Sequence, residues 1–321
     1  MKLSSHTIVL EAVLAVLCVV LALTAPGFFT AENLLNVLRN ISMQGIIALG
    51  MTMVIIAGEI DLSVGSAVAF AGCWMAWLTG HLDPALSPVA AVLLAMVITI
   101  GTGFIPGWIT GILRTRYGVP SFITTLALLT GLAGIAELLT DGFPLTPFPE
   151  WYGSLGGGYL AGIPVPAIIF VMSCAVILVL MNQTVFGRSV YAVGGNAEAA
   201  RLSGIPVARI KTAVLALTSA LAAVAGILQS SEIMSGTATT AKGWELDIIA
   251  AVIIGGTSLT GGAGTVRGTM VGIVFLGVII NGMTLLNVNE YWQHVVRGGL
   301  ILTAVLLNRM QNHAHANGAT A

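Results

Sequence analysis

Apolar residues run along this chain in long blocks, and the blocks are cut where Pro, Gly, Asn or clusters of charge fall together. A membrane-crossing helix needs roughly 20 apolar residues, and the blocks predict about ten such spans. Their limits are residues 7–24, a short 43–57, 62–78, 89–113, 122–139, 166–181, 212–229, 246–259, 268–285 and 291–307. Ten spans use ~200 residues and leave ~120 for connections and tails, so no connection is long enough for a soluble domain. The expectation is an all-α, polytopic membrane protein: residues 1–321 form one transmembrane domain, 182–211 are a long polar loop within it, and 309–321 are a disordered tail.

Composition strengthens this reading. The sequence is 57% hydrophobic and 8% charged, against roughly 25% charged in an average soluble domain. A net charge of −1 gives no basic excess for nucleic acid, which excludes that class of partner. The first block follows Lys2 and shows no small-residue cleavage site near Thr24 or Phe29, so it reads as a retained anchor rather than a signal peptide. With the N-terminus inside, Lys2, Arg114, Arg116, Arg188, Arg201, Arg209, Lys211, Arg267 and Arg309 fall in the cytoplasm, against Arg39, Lys242 and Arg297 outside. That split obeys the positive-inside bias and places both termini in the cytoplasm; dropping the short second span would invert what precedes it. Cys18, Cys73 and Cys174 sit in apolar runs with no second Cys or His at ligand spacing and read as packing residues.

Two glycine series suit close helix packing: Gly103, Gly107 and Gly111 within the fourth span, and Gly268 with Gly272 in the ninth. They serve either packing within the chain or a seam between two chains. Val54-Ile-Ile-Ala-Gly58 resembles Val252-Ile-Ile-Gly-Gly256, in spans that run the same way. This is either a parallel repeat or a chance likeness between two Gly-punctuated helix ends.

No H-E-x-x-H, G-x-S-x-G or paired metal-ligand His occurs, and His313 and His315 lie in the polar tail. No G-x-x-x-x-G-K-[ST] occurs either, so an ATP-driven process needs another chain to bind the nucleotide. Neither a metal nor a cofactor is expected on this chain. Two carboxylate pairs, Glu59 with Asp61 and Glu245 with Asp247, stand at span ends. Asp61 and Asp247 precede helical stretches and suit capping, or alternatively a substrate or proton path. Gly58 allows the discontinuous helix that transporters use near their sites. In the 182–211 segment, Asn196 is positioned to cap a short helix over residues 197–202, which Gly204 ends and Pro206 cannot continue. A short exposed helix between two spans suits docking on another protein.

Glu198-Ala-Ala-x-x-x-Gly204 resembles the start of the EAA-type coupling loop of ABC importer permeases. The blocks Gly58-Glu-Ile-Asp-Leu-Ser-Val-Gly-Ser66, Gly187-Arg through Gly194-Gly-Asn, and Leu246-Asp through Gly255-Gly-Thr-Ser-Leu-Thr-Gly-Gly262 together resemble the ribose-type sugar permeases over residues 28–307. Glu59 departs from that pattern, which commonly has Gly there, and the segment after Gly204 lacks the usual Ile-x-Leu-Pro ending. The resemblance implies a permease subunit in a bacterial inner membrane, surrounded by lipid and paired with a second permease chain of the same or a different kind. It further implies sugar delivery by an extracytoplasmic binding protein and drive from a cytoplasmic ATP-binding subunit. Asn196, Glu198, Ala199, Ala200, Arg201 and Gly204 are the coupling candidates. Gly58, Glu59, Asp61, Ser63, Asp247, Gly255 and Gly256 are the pathway or helix-break candidates. The alternative is a self-contained carrier coupling protons through Glu59, Asp61 or Asp247.

Overall fold

The computed structural model describes residues 5–83, 85–300, 302, 303 and 306, with side chains from residue 8. Lys2, Arg309 and the 309–321 tail with both of its histidines lie outside the described residues. Twelve labelled α-helices follow in order: α1 Ser5–Thr24, α2 Ala31–Ile56, α3 Val64–Leu82, α4 Pro88–Arg116, α5 Ser121–Thr140, α6 Gly153–Gly156, α7 Val165–Gln183, α8 Val185–Gly195, α9 Ala197–Leu202, α10 Val207–Glu232, α11 Trp244–Ile254 and α12 Val266–Leu285. Residues 290–300 are also helical. The described strands are a minimal antiparallel hairpin, Tyr159–Leu160 with Ile163–Pro164. Among the described residues, six helices (α2, α4, α5, α7, α10 and α12) are long and apolar enough to cross a membrane. The protein is an all-helical polytopic membrane protein.

The second span differs most from expectation. In place of a short 43–57 segment, α2 begins at Ala31, where the Thr30 side chain accepts from the Asn33 N–H, and runs for 26 residues. Asn33, Asn36, Arg39 and Asn40 read as a connection in sequence because they are too polar for lipid. In the fold Asn33, Asn36 and Arg39 turn to protein partners, while Asn40 stays exposed. Asn33 and Asn281 exchange hydrogen bonds at 3.0 and 2.8 Å, and Arg39 donates to the Gly157 carbonyl at 3.1 Å and faces Glu232 at 3.9 Å. Deeper along α2, Ile46, Ile47, Leu49, Met51, Met53, Ile55 and Ile56 are fully enclosed among α7, α10, α11 and α12. A helix apolar on every side is the one a bundle buries.

Close backbone approach sets the rest of the bundle. A Cβ at Gly103 would stand 2.5 Å from the Ala223 methyl, one at Gly107 would meet the Leu215 carbonyl, and one at Gly111 would meet the Thr212 backbone. The first glycine series is therefore a seam within the chain, between α4 and α10. The second also packs internally, with Gly268 and Gly272 against the Gly255 and Ala251 carbonyls of α11.

The eighth span is also shorter than expected. α11 has 11 residues and stops at Ile254 rather than 259, a length of about 16 Å, near half a bilayer core. The backbone ahead of it is not helical. Gly226 of α10 packs against Val68 and Ala71 of α3, then the chain doubles back so that Gly236 lies beside Gly72 and Ala76 and the Ala241 carbonyl lies beside Gly65. Measured along α3, the 235–243 segment sinks about 10 to 16 Å before α11 starts. Irregular backbone at that depth is tolerated only where protein covers it or a cavity adjoins it. Part of its hydrogen bonding comes from Leu145, which exchanges bonds with Gly236 at 3.0 and 2.8 Å.

The two resembling pentapeptides share one backbone geometry. Glu59 N donates to Val54 O and Gly58 N to Ile55 O; Thr257 N donates to Val252 O and Gly256 N to Ile253 O. Both are Schellman ends with a left-handed glycine, Gly58 at φ 76° and Gly256 at φ 89°, a conformation that glycine takes without the penalty a Cβ brings. They lie side by side, with Gly262 N donating to Ile56 O at 2.8 Å.

Candidate functional site

The site is built where α2, α4, α10 and the loop after α11 converge. Gly58 turns the chain out of α2 and delivers Glu59 into the interior, where its side chain is only 3% exposed. There Arg114, near the end of α4, donates Nε–H to both carboxylate oxygens at 2.9 and 3.0 Å, and Lys211 of α10 donates from Nζ at 2.5 Å. A buried carboxylate is tolerable only with such partners, and each partner would be costly without it. The cluster carries one net positive charge and ties three helices to one point. Sequence reading had counted Arg114 and Lys211 only as topology markers, since nothing local connects them to a residue 55 or 152 positions away.

Asp61 does not cap α3. Its Oδ1 accepts from the Ser63 N–H at 2.8 Å and the Ser63 hydroxyl at 2.6 Å, an Asx turn that stiffens the break itself. Ser63 holds the N-cap position without a side-chain cap bond, and Oδ2 of the enclosed Asp61 has no partner among the described residues. Asp247 does not cap α11 either: Gly243 occupies that place, and Asp247 in the first turn pairs with Arg297 at 3.1 Å. It lies at the other end of α11 from Gly255 and Gly256, so the break candidates form one group around Gly58 and Gly256 and leave Asp247 outside it.

Beside this group stand α8 and α9. Thr184 caps α8 by accepting from Gly187 N at 3.3 Å, Gly194 approaches the Ile56 carbonyl, and the Tyr191 hydroxyl donates to the Gly264 carbonyl at 3.0 Å. The short helix falls where expected. Asn196 Oδ1 accepts from Ala199 N at 2.9 Å, α9 runs Ala197–Leu202, and Gly204 follows at φ 82°. Ala199 and Ala200 do not share one outward face. Ala200 is buried and anchors α9, whereas Glu198, Ala199, Arg201 and Leu202 point out, Leu202 at 76% exposure. Glu198 and Arg201 pair at 2.6 Å, and this guanidinium holds the Glu198 carboxyl below its usual range. In sequence Leu202 reads as an ordinary apolar residue facing inward, and only the fold shows it exposed. The four residues Ser203 to Pro206 join α9 to α10, with Ile205 N bonded back to the Ala200 carbonyl, so the outward helix is held close to the rod that carries Lys211.

Residues 33–305 match the family described as branched-chain amino acid transport system / permease component. The chain is 42% identical over 301 residues to the ribose import permease protein RbsC of Bacillus subtilis strain 168, covering 93% of this chain and 91% of that one. It is 43% identical over 301 residues to the probable ABC transporter permease protein YphD of Escherichia coli K12, covering 92% and 87%. It is also 36% identical over 301 residues to the L-arabinose ABC transporter permease protein AraH of Azospirillum brasilense, covering 94% and 87%. No solved structure matches the chain significantly.

Proposed function

The chain belongs to the branched-chain amino acid transport system / permease component family, and from that premise we propose that it is the transmembrane subunit of an ATP-binding-cassette importer for a monosaccharide or similar polyol. The observation that carries this is identity of 36 to 43% over more than nine tenths of the chain to relatives named as ribose, L-arabinose and other ABC permeases. In this reading the chain hydrolyses nothing, and a separate cytoplasmic subunit binds and splits ATP.

The protein sits in a bacterial inner membrane with about ten crossings, with α11 and its irregular approach acting as one of them, and with both termini cytoplasmic. The α9 end faces the cytoplasm, and the outward face of α9, including Leu202, docks in a groove of the ATP-binding subunit. An extracytoplasmic binding protein delivers sugar at the opposite end, and a second permease chain completes the pathway. The buried ion cluster transmits motion in this scheme: α9 moves α10, and Lys211 carries the movement through Glu59 to the α2 break and to α4. Proton coupling through Glu59 fits poorly, because two cations hold that carboxylate.

Reconstitution tests the reading. The chain co-purified with its partners should take up sugar in proteoliposomes only when ATP and loaded binding protein are present. Uptake driven by a proton gradient without ATP would overturn it.

A further inference from the structure

Along the half of α2 away from Glu59, the amides Asn33, Asn36, Asn40 and Gln44 recur at helical spacing on one face. Below Asn33 this stripe borders a cavity of about 310 Å³, which Asn281 of α12, Trp244 of α11 and Arg297 also line. Four features make the cavity more than a packing fault. The exposed Asn40 and the half-buried Gln44 and Trp244 all line the cavity, and none of the three spends its side-chain polar atoms on a neighbour among the described residues. Arg297 Nε is buried without a partner, while Nη1 of the same side chain is held by Asp247 at 3.1 Å. Asn33 and Asn36 are already bonded, to Asn281 and Arg39, which leaves Asn40 and Gln44 as the amides with polar atoms to offer a molecule in the cavity. Finally, Trp244 is the first residue of the half-length helix, the position where discontinuous helices place substrate.

The chemistry of the lining selects the ligand class. Each amide presents two donors and an acceptor and so matches hydroxyl groups, which both give and take hydrogen bonds. Asp247 neutralises Arg297, so no net charge calls for an ion. The indole offers an apolar face to the C–H side of a ring. The volume is at the small end for ligand sites, which run about 300–1,000 Å³. We propose that this cavity is a substrate station inside the chain, at which one neutral polyhydroxyl molecule of monosaccharide size is held by Asn40 and Gln44 with Trp244 against its ring. The station rests on the permease reading and adds to it the residues that touch the sugar.

The experiment uses the importer assembled with its partners, and a panel of pentoses, hexoses and the corresponding polyols that includes D-ribose and L-arabinose. In a background with Cys18, Cys73 and Cys174 replaced, Asn40→Cys and Gln44→Cys are labelled with a membrane-impermeant thiol reagent. Labelling should proceed from the side opposite α9 and slow when a transported sugar is added. Gln44→Leu should lower uptake about 10-fold or more through the lost hydroxyl partner, while the ATP-binding subunit co-purifies in unchanged amounts. Uptake within about two-fold of the unmutated importer, or labelling that no transported sugar slows, overturns the station and leaves the permease reading standing. If the unmutated importer takes up none of the panel, the sugar permease reading fails and the station with it. Should Gln44→Leu fail to assemble, Gln44→Asn and the cysteine protection decide between the same outcomes.

Discussion

Around Glu59, side chains from separate elements are spent on one another, whereas around Asn40 they stand open. The same kind of apolar helix supplies both regions, and α2 runs through both. At the first, a carboxylate is clamped by two cations, Gly262 is bonded to Ile56, and Gly194 is pressed on the same carbonyl. At the second lies the 310 Å³ cavity with its amides. A further opening of about 750 Å³ adjoins the irregular segment at Thr237 and Thr239, with Glu137 and Asp141 across it. Polar residues of one helix bundle thus stand in two opposite conditions: cross-linked around Glu59 they fix helices, and unlinked around Asn40 and Gln44 they leave their polar atoms available. The number of polar residues says little; whether partners are within reach says which use applies.

The largest expected effect breaks the first region. Glu59→Ala leaves Lys211 unopposed in the interior, with Arg114 partly exposed beside it, and should cost about 3 kcal/mol, read as a lower Tm in detergent. Adding Lys211→Met should restore a good part of it, because neighbours in one network are not additive. An unchanged Tm for Glu59→Ala would remove the cluster from any structural role. A pair of adjacent glycines sharpens the picture next. Gly194→Ala drives a methyl into the Ile56 carbonyl, while Gly195 has nothing within 4 Å; the first should cost about 1–3 kcal/mol and the second little. Equal effects would mean that the two helix ends are not pressed together.

α9 yields the third contrast. Ala199→Trp should leave Tm unchanged and abolish co-purification of the ATP-binding subunit, whereas Ala200→Trp, at a buried position, should lower Tm as well. If both behave alike, α9 is not mounted as described. The smallest effect belongs to Glu198. Its lowered carboxyl range means that any stability from the Arg201 pair is present above the ordinary glutamate range and is lost as pH falls through the lowered one. The pair is fully exposed, so Glu198→Gln should leave Tm unaltered between pH 4 and 8; a measurable drop would show the pair to be more sheltered.

The sequence made some of this readable and hid the rest, for identifiable reasons. α9 was legible to the residue because capping by Asn196 and termination by Gly204 are chemistry between near neighbours. The glycine series announced close packing, though only the fold shows what each one meets. α2 was misread at its start because Asn33 and Arg39 find their partners at Asn281 and Glu232, far along the chain. Asp61 was correctly marked as a hydrogen-bond acceptor at a helix start but assigned to the wrong donor, since an Asx turn and an N-cap call for the same residue type. The eighth span was drawn on to Leu259 because Gly255 through Leu259 carry no charge to stop it, whereas the turn at the left-handed Gly256 ends α11 at Ile254.

α10 is 26 residues long with no proline inside, begins at Val207, a four-residue turn after α9 ends at Leu202, and ends at Glu232 beside Arg39. Such a rod is about 39 Å long, and a tilt of about 5° at its α9 end swings the far end by roughly 3 Å. That lever arm is comparable to the 3.9 Å separating Arg39 from Glu232. A modest push on a six-residue helix at one surface is thus geometrically sufficient to open or close an ionic latch at the other, without any helix having to bend.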